Sequence, residues 1–297
     1  MLLLGGVVAF SAYFAMYAFR KPIAAATFGD VGLHPLGLDY KSALLIAQVM
    51  GYAVSKLIGI KVIAEFGRTG RARAIAALIG ASWLALVGFA LLPPVWGLPC
   101  LFLNGLPLGM IWGLVFSYVE GRRVSELLGA MLCASFILSS GMVKSVATLL
   151  MQQGVTERWM PAATGVLFVP VLLVALGMLE RLPPPSPEDE AERTARVPMS
   201  KADRAAFMRD HGVTMALLVS GYILLTAFRD FRDNFAAELW NALGYAGSAA
   251  IFSQSELPVA VIALAGLGAL MLVRDNLRAL IAMHGLILLG AAALGLG

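Results

Sequence analysis

The sequence has few charged residues, few histidines and almost no cysteine. Charged residues make up 13% of the 297 residues, with three histidines and two cysteines. The histidines, His34, His211 and His284, lack metal-ligand spacing, and both cysteines lie in apolar segments, where an unpaired thiol is usual. No nucleophile–base pair or nucleotide-binding loop is present. We therefore expect no metal, no cofactor and no enzymatic activity. The net charge of +4 is too small to indicate nucleic-acid binding.

What the sequence has in excess is apolar surface. Sixty per cent of its residues are hydrophobic, which is too much for a soluble domain of this length, so lipid is the expected solvent. The apolar runs approach the roughly 20 residues that cross a bilayer. They predict an all-α polytopic membrane protein with about nine helices, at 1–28, 42–64, 74–92, 95–119, 127–152, 160–180, 212–243, 248–273 and 278–296.

A polar linker divides the chain into two unequal parts. We predict a six-helix bundle at 1–180, a linker at 181–211 and a partial bundle of three helices at 212–297. Within the linker, residues 200–210 are suited to a short amphipathic helix on the membrane surface. Lysines and arginines concentrate in the linker and in the loops at 65–73, 120–126 and 274–278. By the positive-inside rule, the N-terminus and the linker are predicted to be cytoplasmic.

The first apolar segment contains two tyrosines and two cations. Tyr13, Tyr17 and Arg20 have a spacing that places them on one face of a helix, and Lys21 follows. Because the chain is apolar again at 23–28, the cations interrupt a hydrophobic segment. They either extend to the membrane interface or face a bundle interior or a wet cavity. The stretch alone does not separate these interpretations.

An internal repeat favours the second interpretation. Three segments recur in order in the second half: 11–20 as 220–229, 42–48 as 248–254 and 73–80 as 278–285. Identical residues in these pairs include Tyr13 and Tyr222, Arg20 and Arg229, and Gln48 and Gln254. One match is easily produced by chance in such a chain, but three in order indicate a tandem repeat of a long unit. A repeated arginine suggests two cations that converge on one pocket.

Six helices, a charged linker and a parallel second set are typical of the major facilitator superfamily. Within it, the chain resembles the organophosphate:phosphate antiporter family and its uncharacterised bacterial relatives. The resemblance rests on Tyr13-x3-Tyr17-x2-Arg20-Lys21, on the segment from Gly51 to Gly59 with Tyr52 and Lys56, and on the segment from Asn104 to Trp112. It implies a multi-pass protein of the bacterial inner membrane.

The resemblance also implies residue roles. In that family, paired arginines of the first and seventh helices bind a phosphate at the bilayer midplane, which here implies Arg20 and Arg229. It further implies that Tyr13, Tyr17 and Lys56 line the same cavity. The family's helix-five histidine is absent here, and acidic residues that follow Arg229 are suited to neutralise it. Phosphate, carboxylate and sulfonate groups therefore all stay open as the bound anion.

Further candidates come from the residues themselves. Lys21 belongs to the first motif, and Tyr222 repeats Tyr13. Lys144 lies alone in an apolar segment, where a lysine requires a wet cavity or an anion. Glu256 is either a proton-coupling carboxylate or a residue of the outer interface, and we favour the interface.

The combined prediction is a secondary active transporter of a small organic anion, phosphorylated or carboxylated. Its expected partners are that anion, the lipid bilayer and a counter-transported anion or a proton. The main alternative is a membrane sensor of the same fold, which binds the anion without moving it. Because the second half has only three predicted helices, we expect the chain to be a fragment of a full carrier.

Overall fold

The computed structural model describes residues 2–65, 70–120, 125–184, 200–273 and 275–296. Helices account for 84% of the structure, and the described ranges contain no strand. The helices are α1 (Leu2–Tyr17), α2 (Tyr40–Glu65), α3 (Arg71–Leu91), α4 (Gly97–Phe116), α5 (Ser125–Gln152), α6 (Met160–Glu180), α7 (Lys201–Asn234), α8 (Ala236–Ala242), α9 (Ala250–Met271) and α10 (Asn276–Leu296). Short 3-10 helices lie at Pro22–Ala25, Gly29–Val31, Pro35–Gly37 and Pro94–Trp96.

Eight of the described helices are long and apolar enough to cross a membrane. They are α2 to α7, α9 and α10. The prediction of an all-α polytopic membrane protein is confirmed at this level, and the predicted bounds of α2 to α6 agree with the structure to within three residues. The exception is α1, whose 16 residues are about 24 Å long at 1.5 Å per residue.

Three predicted boundaries are wrong. The helix predicted at 212–243 is divided at Phe235 into α7 and α8. The first helix does not run through residue 28, because it ends at Tyr17 ahead of a turn and a 3-10 helix. Residues 200–210 are not a separate surface helix but the first turns of α7. The Ser200 hydroxyl accepts from the Asp203 amide and the Asp203 carboxylate accepts from the Ser200 amide, a capping box that starts α7 at this point. Linker residues 185–199 lie outside the described ranges, as do parts of the loops used to predict orientation.

Helix α1 packs against α4, α5 and α6 in the first half of the chain. Buried side chains of α1, α3, α4, α5 and α6 form one continuous hydrophobic core. Helix α2 joins through close backbone contact with α4. A Cβ atom at Gly105 would lie 2.1 Å from the Gln48 carbonyl oxygen, so the glycine is required for this approach. The α2–α4 contact fixes the side chains that α2 directs toward the end of α1.

The second half is more loosely attached. Helix α9 packs along α5, and α8 with the end of α7 lies against the 3-10 helix Pro22–Ala25. The apolar windows of α7 and α10 contain no buried residue. Contact between the halves is therefore concentrated at the C-terminal end of α7, on α8 and along α9, which is where the candidate site lies.

Candidate anion-binding site

The site begins at a break in the first apolar segment. The Arg20 and Lys21 amides both donate to the Tyr17 carbonyl, at 3.0 and 2.9 Å, in a tightened final turn. Pro22 follows, and it has no amide hydrogen to donate. In a continued helix its ring would also clash with the carbonyl of Ala18. The helix therefore stops within the apolar segment, and Arg20 and Lys21 lie on the turn.

Two buried amide side chains satisfy the backbone at this break. The Asn104 side chain donates to the Phe19 carbonyl at 3.0 Å, and the Gln48 side chain donates to the Arg20 carbonyl at 3.2 Å. Gln48 also donates to the Asn104 side-chain oxygen at 2.7 Å, and Asn104 donates to the Ser82 hydroxyl at 2.6 Å. Irregular backbone at membrane depth requires such partners or a water-filled cavity.

A cavity of about 150 Å³ lies beside the break, between the two halves. It is lined from the first half by the end of α1, the turn after it and α5, and from the second half by α7 and α9. Its charged lining residues are Arg20, Lys21, Arg229, Asp230, Arg232, Asp233 and Glu256. The structure thus brings Arg20 and Arg229 of the two repeats to one cavity.

Arg20 has aromatic neighbours and, among the described residues, no acidic side chain in ion-pair contact with it. Its guanidinium carbon lies 4.2 Å from the centre of the Tyr52 ring. No carboxylate of the described residues forms an ion pair with Arg20. Tyr17 lines the cavity beside Arg20, and Tyr13 packs edge-on against Tyr17 at 5.4 Å between ring centres. Arg20 therefore keeps its hydrogen-bond donors for another acceptor.

Arg229 lines the same cavity as Arg20 but is already paired. Its guanidinium donates to the Asp230 carboxylate through Nε at 3.2 Å and through a terminal nitrogen at 2.9 Å. It also lies 5.8 Å from the centre of the Phe136 ring, which in turn stacks with Tyr17. Asp230 accordingly does what the sequence suggested, since it neutralises Arg229. Arg20 and Arg229 occupy matching positions of the sequence repeat, but among the described residues only Arg229 forms an ion pair.

Two of the three lysines predicted for the site, Lys144 and Lys21, are bound to a carboxylate of the other half. Lys144 is fully buried and its ammonium donates to Asp233 Oδ1 at 2.6 Å. Lys21 is 5% exposed and forms an ion pair with the other oxygen of Asp233. Lys21 also donates to the Asn234 side chain at 2.9 Å. The anion that Lys144 was expected to need is Asp233.

Four predicted site residues lie outside the cavity lining: the buried Tyr13 and Lys144, and the exposed Lys56 and Tyr222. Lys56 is exposed, with its ammonium 4.9 Å from the centre of the Tyr52 ring, so one tyrosine lies near both Lys56 and Arg20. Tyr222 is 67% exposed and the structure does not bring it to the cavity. Periodicity places Tyr222 on the face of Arg229, but no described helix packs over that part of α7.

Glu256, for which we favoured the outer interface, is a buried residue of the cavity. It is 5% exposed and lines the cavity, where it accepts from Arg232 at 2.9 and 3.0 Å. The physical reason is close packing of α9 on α5. A Cβ atom at Gly141 would lie 2.8 Å from the Glu256 Cβ, so the glycine allows α9 to bury this carboxylate.

Sequence reasoning missed one buried ion pair between the halves. Lys41 lies in the first turn of α2 and is fully buried, and its ammonium donates to Glu238 at 2.6 and 2.8 Å and to the Ala24 carbonyl at 3.0 Å. The signal was its position directly before the apolar run of α2. Within the described residues, no three potential metal ligands of the His, Cys, Asp or Glu type lie together.

The family model described as "Family of unknown function (DUF5690)" matches residues 22–297. The chain belongs to this family. The DUF5690 match includes Lys144, Arg229, Asp233 and Glu256, and it starts two residues after Arg20. No curated protein and no solved structure is detectably similar to the chain.

Proposed function

We propose that this chain is a secondary carrier of a small organic anion that works by alternating access, in the manner of the major facilitator superfamily that its motifs resemble. One observation carries the proposal. Arg20 lies on a helix break inside an apolar segment, has no acidic partner among the described residues, and shares a cavity with Arg229 of the second repeat. Broken helices next to substrate are a recurring feature of transporters.

The chemistry of the cavity suits an oxyanion. A guanidinium presents a planar set of donors that match a carboxylate or a phosphate in two places at once. Arg20 is partly exposed and forms no ion pair among the described residues, so an anion at Arg20 would add charge-assisted hydrogen bonds that stabilise the site. Because Arg20 belongs to the first half and Arg229 to the second, one anion between them would favour closure of the halves around it. Glu256, whose carboxylate accepts hydrogen bonds from Arg232, stays a candidate for proton coupling.

The proposal is tested by uptake in liposomes that contain the full chain. The liposomes are loaded with unlabelled glycerol 3-phosphate or lactate, and accumulation of the same labelled compound from outside is measured. We expect accumulation with at least one probe. Arg20→Gln should reduce its initial rate by about tenfold or more, since hydrogen bonds to charged groups are worth about 1.5–3 kcal/mol. Arg209→Gln is the matched control, because Arg209 is 79% exposed on α7.

Two other outcomes are informative. Binding of a probe that depends on Arg20, without any accumulation, would replace the carrier with a transporter-like sensor. Equal binding and uptake in the wild type and in Arg20→Gln would remove Arg20 from the site and reject the proposal.

A further inference from the structure

The contact between the halves contains buried lysines that require a negative charge. Lys144 is fully buried and Lys21 is 5% exposed, and both belong to the first half. A buried ammonium without a carboxylate or an equivalent anion is strongly unfavourable. Some anion must therefore lie between these lysines whenever the halves meet as they do here.

Asp233 of the second half supplies that charge. One carboxylate oxygen accepts from Lys144 at 2.6 Å and from the Ser140 hydroxyl at 2.5 Å, and the other oxygen pairs with Lys21. Both carboxylate oxygens therefore bind cations of the first half, in the way that the oxygens of an external oxyanion would bind them. Asp233 lines the same cavity as Arg20.

A second pair of the same kind lies nearby. Fully buried Lys41 of the first half pairs with Glu238 of α8 at 2.6 Å, and Glu238 is 38% exposed. In both cases the first half gives the buried lysine and the second half gives the carboxylate. The positive charge of the buried lysines at this contact is therefore neutralised by acidic residues of the chain itself.

We propose that Asp233 is an internal counter-ion that lets the halves close without cargo, so that the carrier catalyses net transport as well as exchange. The inference rests on the proposed carrier function. If the lysines lacked a carboxylate from the chain, closure would require an external anion and only exchange would be possible. With Asp233 in place, the halves close on internal charge pairs and the unloaded protein can change its orientation.

The test compares two assays on the full chain in liposomes, with glycerol 3-phosphate and lactate as probes. Exchange is measured with unlabelled probe inside, and net uptake is measured with buffer alone inside. The wild type should show both activities. Asp233→Asn should retain exchange but lower the ratio of net uptake to exchange by about tenfold or more, because closure then leaves two buried lysines without a carboxylate. Asp210→Asn, which removes an exposed carboxylate of α7, should leave the ratio unchanged.

The outcomes separate the two proposals. Exchange without net uptake in the wild type would overturn the role of Asp233 and leave the carrier intact, whereas absence of exchange would reject both. An unchanged ratio in Asp233→Asn would also overturn it. Should Asp233→Asn fail to fold, Glu238→Gln decides in its place, because Glu238 is partly exposed. A reduced ratio in that variant supports internal counter-ions, and an unchanged ratio contradicts them.

Discussion

The matching segments 11–20 and 220–229 are similar in sequence but differ in structure. The first repeat places Arg20 on a turn after a short α1, whereas the second places Arg229 within α7, a helix of 34 residues that continues to Asn234. The local difference is Pro22, since the corresponding position of the second repeat is Phe231. A proline therefore follows the broken helix at the position where the continuous helix has a phenylalanine.

The difference also changes the charge balance of the two arginines. On continuous α7, Arg229 is paired with its neighbour Asp230. The residue after Arg20 is instead Lys21, which forms an ion pair with Asp233 of the second half. The repeats are therefore complementary rather than equivalent. The first supplies Arg20, which forms no ion pair among the described residues, and the buried Lys21, whereas the second supplies the carboxylate of Asp233 that pairs with Lys21.

The largest expected effect is the loss of Asp233. Asp233→Ala leaves Lys144 and Lys21 buried without a carboxylate, which should lower the free energy of unfolding by about 3–5 kcal/mol. Thermal unfolding in detergent, followed by circular dichroism, measures this change. Asp210→Ala is the control, since that carboxylate is 60% exposed. A loss in Asp233→Ala no greater than in the control would show that the charge pairs do not join the halves.

The next effect concerns helix continuity. Phe231→Pro introduces into α7 the proline that breaks the first repeat, and it should destabilise the protein by about 3 kcal/mol. Phe231→Ala is the control for loss of the ring, which packs on Phe235 at 5.3 Å. The difference between the two variants in thermal unfolding isolates the backbone effect. Equal stabilities would mean that α7 tolerates a break at the position where α1 has one.

A smaller effect should distinguish two glutamines that the repeat aligns. Gln48 donates to the Arg20 carbonyl and to Asn104 and is 3% exposed, whereas Gln254 is exposed. Gln48→Ala should therefore cost about 1–3 kcal/mol, because buried polar groups lose their partner. Gln254→Ala should change stability by less than about 0.5 kcal/mol. Equal costs, measured by thermal unfolding of both variants, would contradict the claim that side chains support the break.

Much of the fold follows from local sequence patterns. Long apolar runs predict α2 to α6 to within three residues, because a bilayer crossing needs a fixed length of apolar helix. The break after Tyr17 was missed although Pro22 signals it, since the hydrophobic run continues past the proline. Hydropathy measures solvent preference, and it does not report where a helix stops inside the membrane.

The site was predictable only where the repeat pointed to it. The match between Arg20 and Arg229 indicated a shared pocket, and the structure places both on one cavity. The contacts of Lys144 and Lys41 were not predictable, because their acidic partners lie far away in sequence and depend on how α7 and α8 meet the first half. For Tyr222, spacing gave the helix face but not the neighbours that would cover it.

The central claim is that Arg20, unlike Arg229, is a cation that keeps its donors for an external anion. It is tested most directly by equilibrium binding of labelled glycerol 3-phosphate and lactate to the purified wild type, Arg20→Gln and Arg229→Gln. The account predicts that Arg20→Gln weakens binding by about tenfold or more, while Arg229→Gln weakens it less, since Asp230 already compensates that charge. Equal losses in the two variants, or a larger loss in Arg229→Gln, would contradict it.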